Sequence, residues 1–389
     1  MTQTSLDSTY PSATRLLQPG ATLGVIGGGQ LGRYFVLKAR QFGYCVWVLD
    51  PDANAPAMQV ASVPLVAHYD DKDALLKLGE ACDGVTIEFE NVPASSLDLL
   101  AQRTQVSPAS SSVQLAQDRL LEKHQAMASG LKPVPHVAIE SAADISTAGD
   151  VVSFPAIIKT ARLGYDGKGQ RTCNNLDDIE AAFNDFGCVP CVLEQRIELA
   201  AEVSVVMARG FNGDVEVFPV AENTHVNGIL HTSLAPAHQP DELLKEAARQ
   251  AGKLASDINH VGVLAVEFFV AADGTLYFNE MAPRPHNSGH YTLDATVCSQ
   301  FEQQLRVLCA QPLGATDLLT PVAMVNLLGD LWSPEVPDFS NVFQTAGCHL
   351  HLYGKSEARA GRKMGHLNCI APSCDQANEI ALAVHKALS

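Results

Sequence analysis

Short apolar runs broken by polar, glycine-bearing loops set the rhythm of the chain. Residues 22–26 read as a buried strand, and Gly27-Gly28-Gly29-Gln30-Leu31-Gly32 breaks it. Apolar positions then recur with helical spacing from about residue 31 to 42, and residues 45–49 form another strand ending at Asp50-Pro51. This is a βαβ opening, and residues 85–91 read as a further strand of its sheet. Serines at 107 and 110–112, with Pro108, mark a boundary, and residues 117–123 open a helix.

The middle of the chain changes texture. Ile157 and Ile158 are β-branched and deliver Lys159 to a strand end, after which glycines at 164, 167 and 169 open a loop. An acidic helix near 177–186 and strands at 191–195, 202–207 and 215–218 follow. Residues 243–258 have the 3.6-residue period of an amphipathic helix. Runs at 263–270 and 275–281 flank Asp273-Gly274, a strong hairpin signal. A two-residue turn there puts Ala272 opposite Thr275 and, counting outward, Glu267 directly opposite Glu280. Residues 299–309 read as a helix; short strands at 323–328 and 348–353 close the chain, with no repeats or low-complexity tracts.

Chemistry gathers on these elements. Lys159, Lys168 and the amides of the 164–170 loop form a grip for a polyphosphate. G-x-G-x-x-G at 27–32, with Asp50 about twenty residues on, suits a phosphate at a helix N-terminus without specifying a dinucleotide. Two opposed carboxylates are tolerated if a proton is shared or a cation sits between them, and oxygen donors near phosphates favour magnesium over zinc; Asn279 adds a further oxygen. Glu88 and Glu90 end a strand where open α/β sheets bind ligands. Arg284, His286, Asn287 and His290 lie in a proline-stiffened loop suited to an anion, as do Lys355, Arg359, Arg362 and Lys363 farther on.

Composition narrows the class. At 389 residues, with 47% hydrophobic and 18% charged positions, the chain is a globular protein of two or three domains. A net charge of −17 argues against non-specific binding to nucleic acid or anionic membranes, so local basic clusters stand out as phosphate sites. The first twenty residues do not read as a signal peptide, and no apolar run approaches membrane-spanning length. Ten cysteines without disulfide-framework spacing fit free thiols in a reducing cytosol, and Cys188-Val-Pro-Cys191 lacks a second ligand pair for zinc. His349 and His351 share a strand face with no acidic motif following, which favours a core or substrate-facing role.

The ordered motifs at 27–33, 117–123, 159–170, 222–230, 279–291 and 353–366 resemble the ATP-grasp ligases, and more narrowly the N5-carboxyaminoimidazole ribonucleotide synthases of purine biosynthesis, across nearly the whole chain. The resemblance implies an α/β protein, often dimeric and cytoplasmic. It divides the chain into an N-terminal extension (1–20), a Rossmann-like domain (21–116), an ATP-grasp domain (117–314, lid about 125–190) and a small β-rich C-terminal domain (315–389). The implied reaction joins 5-aminoimidazole ribonucleotide and bicarbonate, consuming ATP through carboxyphosphate. By the same resemblance Arg119, Lys159, Gly164, Tyr165, Asp166, Gly167, Lys168, Gly169 and Gln170 contact ATP, Glu194, Gln195, Arg196 and Ile197 line the adenine pocket, and Glu202 meets the ribose. His225 also belongs to the ATP site, and Glu267, Asn279 and Glu280 hold magnesium, with manganese as its alternative. Gly29, Gln30, Leu31, Glu88, Tyr165, Asp166, Lys168 and Asn287 meet the aminoimidazole nucleotide. Arg284, His286, Lys355 and Arg362 hold bicarbonate, carboxyphosphate or the nucleotide phosphate. Tyr34, Ala161, Ala360 and the linker Glu198-Leu199-Ala200-Ala201 depart from the usual pattern, and none removes a needed charge. Competing readings are another ATP-grasp enzyme (a formate-using transformylase or a biotin carboxylase-like protein), an NAD-dependent oxidoreductase suggested by the first glycine loop, and a non-catalytic nucleotide binder.

Overall fold

The computed structural model describes residues 14–164 and 169–388. Its first unit is a five-stranded parallel sheet. The strands are β1 (Thr22–Ile26), β2 (Cys45–Asp50), β3 (Val63–Val66), β4 (Gly84–Ile87) and β5 (Gln105–Val106), in the order β3-β2-β1-β4-β5. Helices α1 (Gln30–Gln41), α2 (Lys72–Ala81), α3 (Ala94–Ala101) and α4 (Ser110–Ala116) connect or follow them. Strand order reverses between β1 and β4, so a crevice opens beyond their C-terminal ends. The strand expected over 85–91 stops at Ile87, and Glu88 and Glu90 lie on the turn past its end. The stop has a cause: the Glu88 carboxylate bends back and accepts from the Gly29 and Gly32 amides.

Helix α5 (Arg119–Ala128) begins at Asp118, whose Oδ1 accepts from the Leu120 and Leu121 amides. It leads into a four-stranded antiparallel sheet, ordered β6-β9-β7-β8, of β6 (His136–Ile139), β7 (Ala156–Thr160), β8 (Gln170–Cys173) and β9 (Cys191–Gln195). Helices α6 (Ala142–Ala148) and α7 (Leu176–Asp185) cover one face around a core of Ile139, Ile158, Phe183 and Leu193.

The third sheet is the largest. It contains β10 (Leu199–Arg209), β11 (Val215–Val217), β12 (Ala221–Val226) and β13 (Ile229–Ala235), then, after helix α8 (Asp241–Asp257), the hairpin β14 (Gly262–Ala271) and β15 (Leu276–Ala282). Past α9 (Thr292–Ala295) and α10 (Gln300–Leu308), strand β16 (Val322–Leu328), helix α11 (Ser340–Gln344), β17 (Cys348–Leu352), β18 (Lys363–Ile370) and α12 (Cys374–Lys386) complete the chain. β16 pairs with β13, and β18 and β17 follow, so the C-terminal strands extend this same sheet rather than standing apart. The basic stretch expected as loop to residue 366 is in fact strand from Lys363 onward.

The hairpin keeps its expected acid pair by an unexpected route. Gly274, at φ 81°, closes a three-residue loop, and Ala271 rather than Ala272 faces Thr275. That slips the register by one as far as Phe268 opposite Phe278. A bulge at Asn279 slips it back, leaving Glu267 opposite Glu280. Because a bulge puts two residues against one, it also turns Asn279 toward the Glu267 side, where its Nδ2 lies 3.5 Å from Glu267 Oε2.

Candidate active site

The start of α1, the turn past β4, strand β7, the β14–β15 hairpin and the segment before β18 all border one cleft of about 1030 Å³. Its acidic wall is the hairpin. Glu267 is buried and driven toward protonation, first by burial and then by the facing Glu280. Glu280 is held ionised instead: burial disfavours its charge, but Arg119, whose Nη1 stands 3.0 Å from Glu280 Oε2, and Lys159 outweigh that cost. Two facing carboxylates make an oxygen donor pair, with the Asn279 Nδ2 donating to Glu267, and the raised Glu267 marks a deficit of positive charge that a divalent cation would fill. Among the described residues no cluster of three or more His, Cys, Asp or Glu side chains is placed to hold a metal ion.

The cationic floor lies opposite. Lys159, on β7, is buried with Nζ 2.6 Å from Glu194 Oε2, while Lys123, from α5, reaches Glu194 Oε1 at 2.7 Å and the Asn279 carbonyl at 3.3 Å. Glu194 is therefore a carboxylate clamped between two lysines; burial alone would raise its pKa, and the lysines drive it well below the usual range. Arg284 is half-buried against Glu90, 194 residues away in sequence. His225 Nδ1 lies 2.8 Å from Glu202 Oε2, and Lys355 donates to the Lys363 carbonyl at 2.7 Å. The His286 backbone is locked from both sides by Gln300, which accepts from its N–H and donates to its carbonyl, each at 2.8 Å.

The amides of the first glycine loop meet acidic side chains: Gly29 N–H to Glu88 at 2.9 Å, Gly32 N–H to Glu88 at 3.3 Å and Gly28 N–H to Asp50 at 2.6 Å. A Cβ on Gly29 would stand 2.4 Å from the Glu88 carboxylate, so glycine is required by the acid and not by a dinucleotide. Asp50, the acid an oxidoreductase would turn to a ribose, also accepts from the Tyr69 hydroxyl at 2.7 Å. The nicotinamide reading loses both of its supports.

Of the residues singled out by sequence, Gln30, Leu31, Glu88, Arg119, Lys159, Gly164, Gln170, Glu202, His225, Glu267, Asn279, Glu280, Arg284, His286, Asn287, Lys355 and Arg362 all border the cleft. Gly29, Gly169, Glu194, Gln195, Arg196 and Ile197 do not, because Gly29 is covered by Glu88 and Glu194 turns beneath the floor to its lysines. Tyr165, Asp166, Gly167 and Lys168 lie outside the described residues. The missed residues are Lys123 and Glu122. Nothing in their spacing marks a lysine and a glutamate on this helix as buried, yet both are, and Glu122 Oε1 accepts from the Met281 amide at 2.5 Å. His349 and His351, expected to be core or substrate-facing, share Asp294.

Sequence and structure comparisons agree with this geometry. Residues 20–117 match a ribonucleotide synthetase preATP-grasp domain, residues 124–301 an ATP-grasp domain, and residues 322–380 a phosphoribosylaminoimidazole carboxylase C-terminal domain. An N5-carboxyaminoimidazole ribonucleotide synthase of Brucella melitensis is 44% identical, covering 92% of this chain and 98% of that protein. The Bacillus subtilis synthase is 42% identical over 91% of this chain and 92% of its own length. A solved synthetase of this type in complex with ADP superposes with a TM-score of 0.90 at 43% identity, covering 96% of this chain and 98% of that one. An Aspergillus clavatus enzyme in complex with ADP and 5-aminoimidazole ribonucleotide superposes at 0.87, with 27% identity, over 95% of this chain and 98% of its own. The chain belongs to the N5-carboxyaminoimidazole ribonucleotide synthase family of ATP-grasp enzymes.

Proposed function

We propose that this protein carboxylates 5-aminoimidazole ribonucleotide at its amine, using bicarbonate and ATP and releasing ADP and phosphate, as a step of purine biosynthesis. The observation that carries the reading is the facing of the Glu267–Glu280 wall against Arg119 and Lys159 in the cleft that Arg284, Lys355 and Arg362 also border. Bicarbonate is a poor electrophile, and phosphorylation converts it to carboxyphosphate, a carrier of carbon dioxide. That transfer needs alignment and charge neutralisation more than covalent help from the protein.

Lys159 and Arg119 neutralise the phosphates, and Arg284, Lys355 and Arg362 hold the bicarbonate, the carboxyphosphate or the nucleotide phosphate. Glu88 faces the cleft past β4 and is assigned to the amine of the nucleotide; burial raises its pKa, which favours its accepting a proton. Tyr165, Asp166 and Lys168 are assigned to the same nucleotide. Magnesium, or manganese, fits Glu267, Glu280 and Asn279, and when bound would neutralise developing charge on the transferred phosphoryl group. No helix among the described residues is long and apolar enough to cross a membrane, in keeping with a cytoplasmic enzyme, and a homodimer is its proposed state.

The test is ADP release followed with and without aminoimidazole ribonucleotide and bicarbonate. Dependence on both is expected. Release indifferent to the nucleotide would overturn the reading in favour of another ATP-grasp ligase.

A further inference from the structure

The strands β17 and β18 pair antiparallel with Cys348 directly opposite Cys369. Flanking bonds fix the kind of pair. Ile370 N–H donates to the Gly347 carbonyl at 2.8 Å, and Tyr353 N–H to the Met364 carbonyl at 3.0 Å. Hydrogen-bonded and non-hydrogen-bonded pairs alternate along an antiparallel ladder, so Cys348 and Cys369 occupy a non-hydrogen-bonded pair, with Cα atoms about 4.5 Å apart. That separation falls within the range disulfides span, about 4.4–6.8 Å. The two sulfurs already lie 2.7 Å apart, inside ordinary van der Waals contact of two thiols. No other cysteine pair among the described residues has its sulfurs in contact, although all ten cysteines are described.

Exposure divides the labour between them. Cys348 is half-buried and open to a small oxidant, whereas Cys369 is fully buried on the inner strand. The contact with Cys369 also draws the Cys348 thiol below its usual pKa, which raises its thiolate fraction. We infer that Cys348 and Cys369 form a reversible, peroxide-sensitive disulfide that staples the edge strand β17 to β18.

The chemistry balances in two steps. The Cys348 thiolate attacks a peroxide oxygen, breaking the O–O bond and forming a sulfenic acid, with one water released after protonation. The Cys369 thiol then displaces the sulfenic hydroxyl as a second water and forms the S–S bond. Two thiols are oxidised, one peroxide is reduced, and a dithiol reverses the reaction by exchange. The connection between these strands carries Lys355 and Arg362 to the cleft, so the staple would lie at the base of a functional hairpin. The inference rests on strand register and sulfur geometry, independent of the proposed reaction.

The experiment uses the full chain, treated with stoichiometric hydrogen peroxide, alkylated under denaturing conditions and mapped by non-reducing peptide mass spectrometry. Free thiols should fall from ten to eight, with a Cys348–Cys369 linked peptide that dithiothreitol releases. Cys348→Ser and Cys369→Ser, near-isosteric changes outside the cleft, should each fold, keep basal activity and yield no linked peptide. Two outcomes would overturn the inference: Cys348 advancing to sulfinic acid while Cys369 remains alkylatable, or a link formed between other cysteines.

Discussion

Ser288 Oγ stands 2.8 Å from His286 Nδ1, and the Ser288 backbone N–H points at the same nitrogen from 3.4 Å. A backbone N–H is always a donor, so Nδ1 accepts and the imidazole proton resides on Nε2. A buried chain agrees with this direction: Asn223 Nδ2 donates to Ser204 Oγ at 3.0 Å, and Ser204 to Ser288 Oγ at 2.8 Å. Burial, and next Arg284, push the His286 pKa down to about 3, so the ring is neutral at any working pH. We propose that His286 serves the cleft as a neutral N–H donor. His286→Gln, whose amide nitrogen falls near the Nε2 position, is expected to keep kcat within about tenfold of the parent, whereas His286→Ala loses roughly 10²-fold or more. Steady-state kinetics of the pair decide it; equal loss in both would mean that the ring moves a proton.

The facing acids carry a second expectation. Glu280→Gln removes the member of the pair that Arg119 keeps ionised and leaves Arg119 without its partner. Turnover should fall by about 10²–10³-fold or more, and raised magnesium should recover part of it. Circular dichroism should remain unchanged, because Glu280 borders the cleft and not an apolar core. Near-normal turnover at ordinary magnesium would remove the metal assignment.

Lys355 is expected to act on substrate binding and not on ATP binding. It borders the cleft from the connection between β17 and β18, whereas Lys159 borders it from β7. Lys355→Ala should lower kcat/KM for the aminoimidazole nucleotide or bicarbonate by roughly 10²-fold while ATP affinity by calorimetry stays within about twofold. An equal loss of ATP affinity would place Lys355 at the ATP phosphates.

Local pattern made much of this molecule legible. The Asp273-Gly274 turn signal located the hairpin, and alternation placed Glu267 against Glu280, but the count arrived through two irregularities that offset each other. A three-residue loop and a one-residue bulge are both invisible to a two-residue periodicity. Had either occurred alone, Glu267 would have faced a neighbour of Glu280. Contacts that span the chain were beyond reach for a different reason. Nothing near Glu90 marks Arg284 as its partner, and nothing near Lys123 announces a buried lysine, since amphipathic helices normally solvate theirs. The glycine loop was legible as a loop needing glycine; that its amides meet Glu88 depends on where β4 ends.

Glu122 sets a pH dependence of stability with an unambiguous sign. It is buried on α5, and its Oε1 accepts from the Met281 amide, which ties the helix to the strand carrying Glu280. Burial, reinforced by Glu280, raises its pKa to about 8, against about 4.3 in an unfolded chain. Between those values the native state binds more protons at this site than the unfolded state does. Stability from Glu122 is thus complete below about pH 4.3 and is lost progressively as pH rises toward 8. Glu122→Gln keeps the carbonyl acceptor for Met281 but cannot ionise. In the ligand-free protein the variant's melting temperature relative to the parent's should rise by several degrees between pH 5 and pH 8. Melting curves of both proteins from pH 5 to 8.5 test this, and a difference that does not grow with pH would show that Glu122 is ionised in the folded protein.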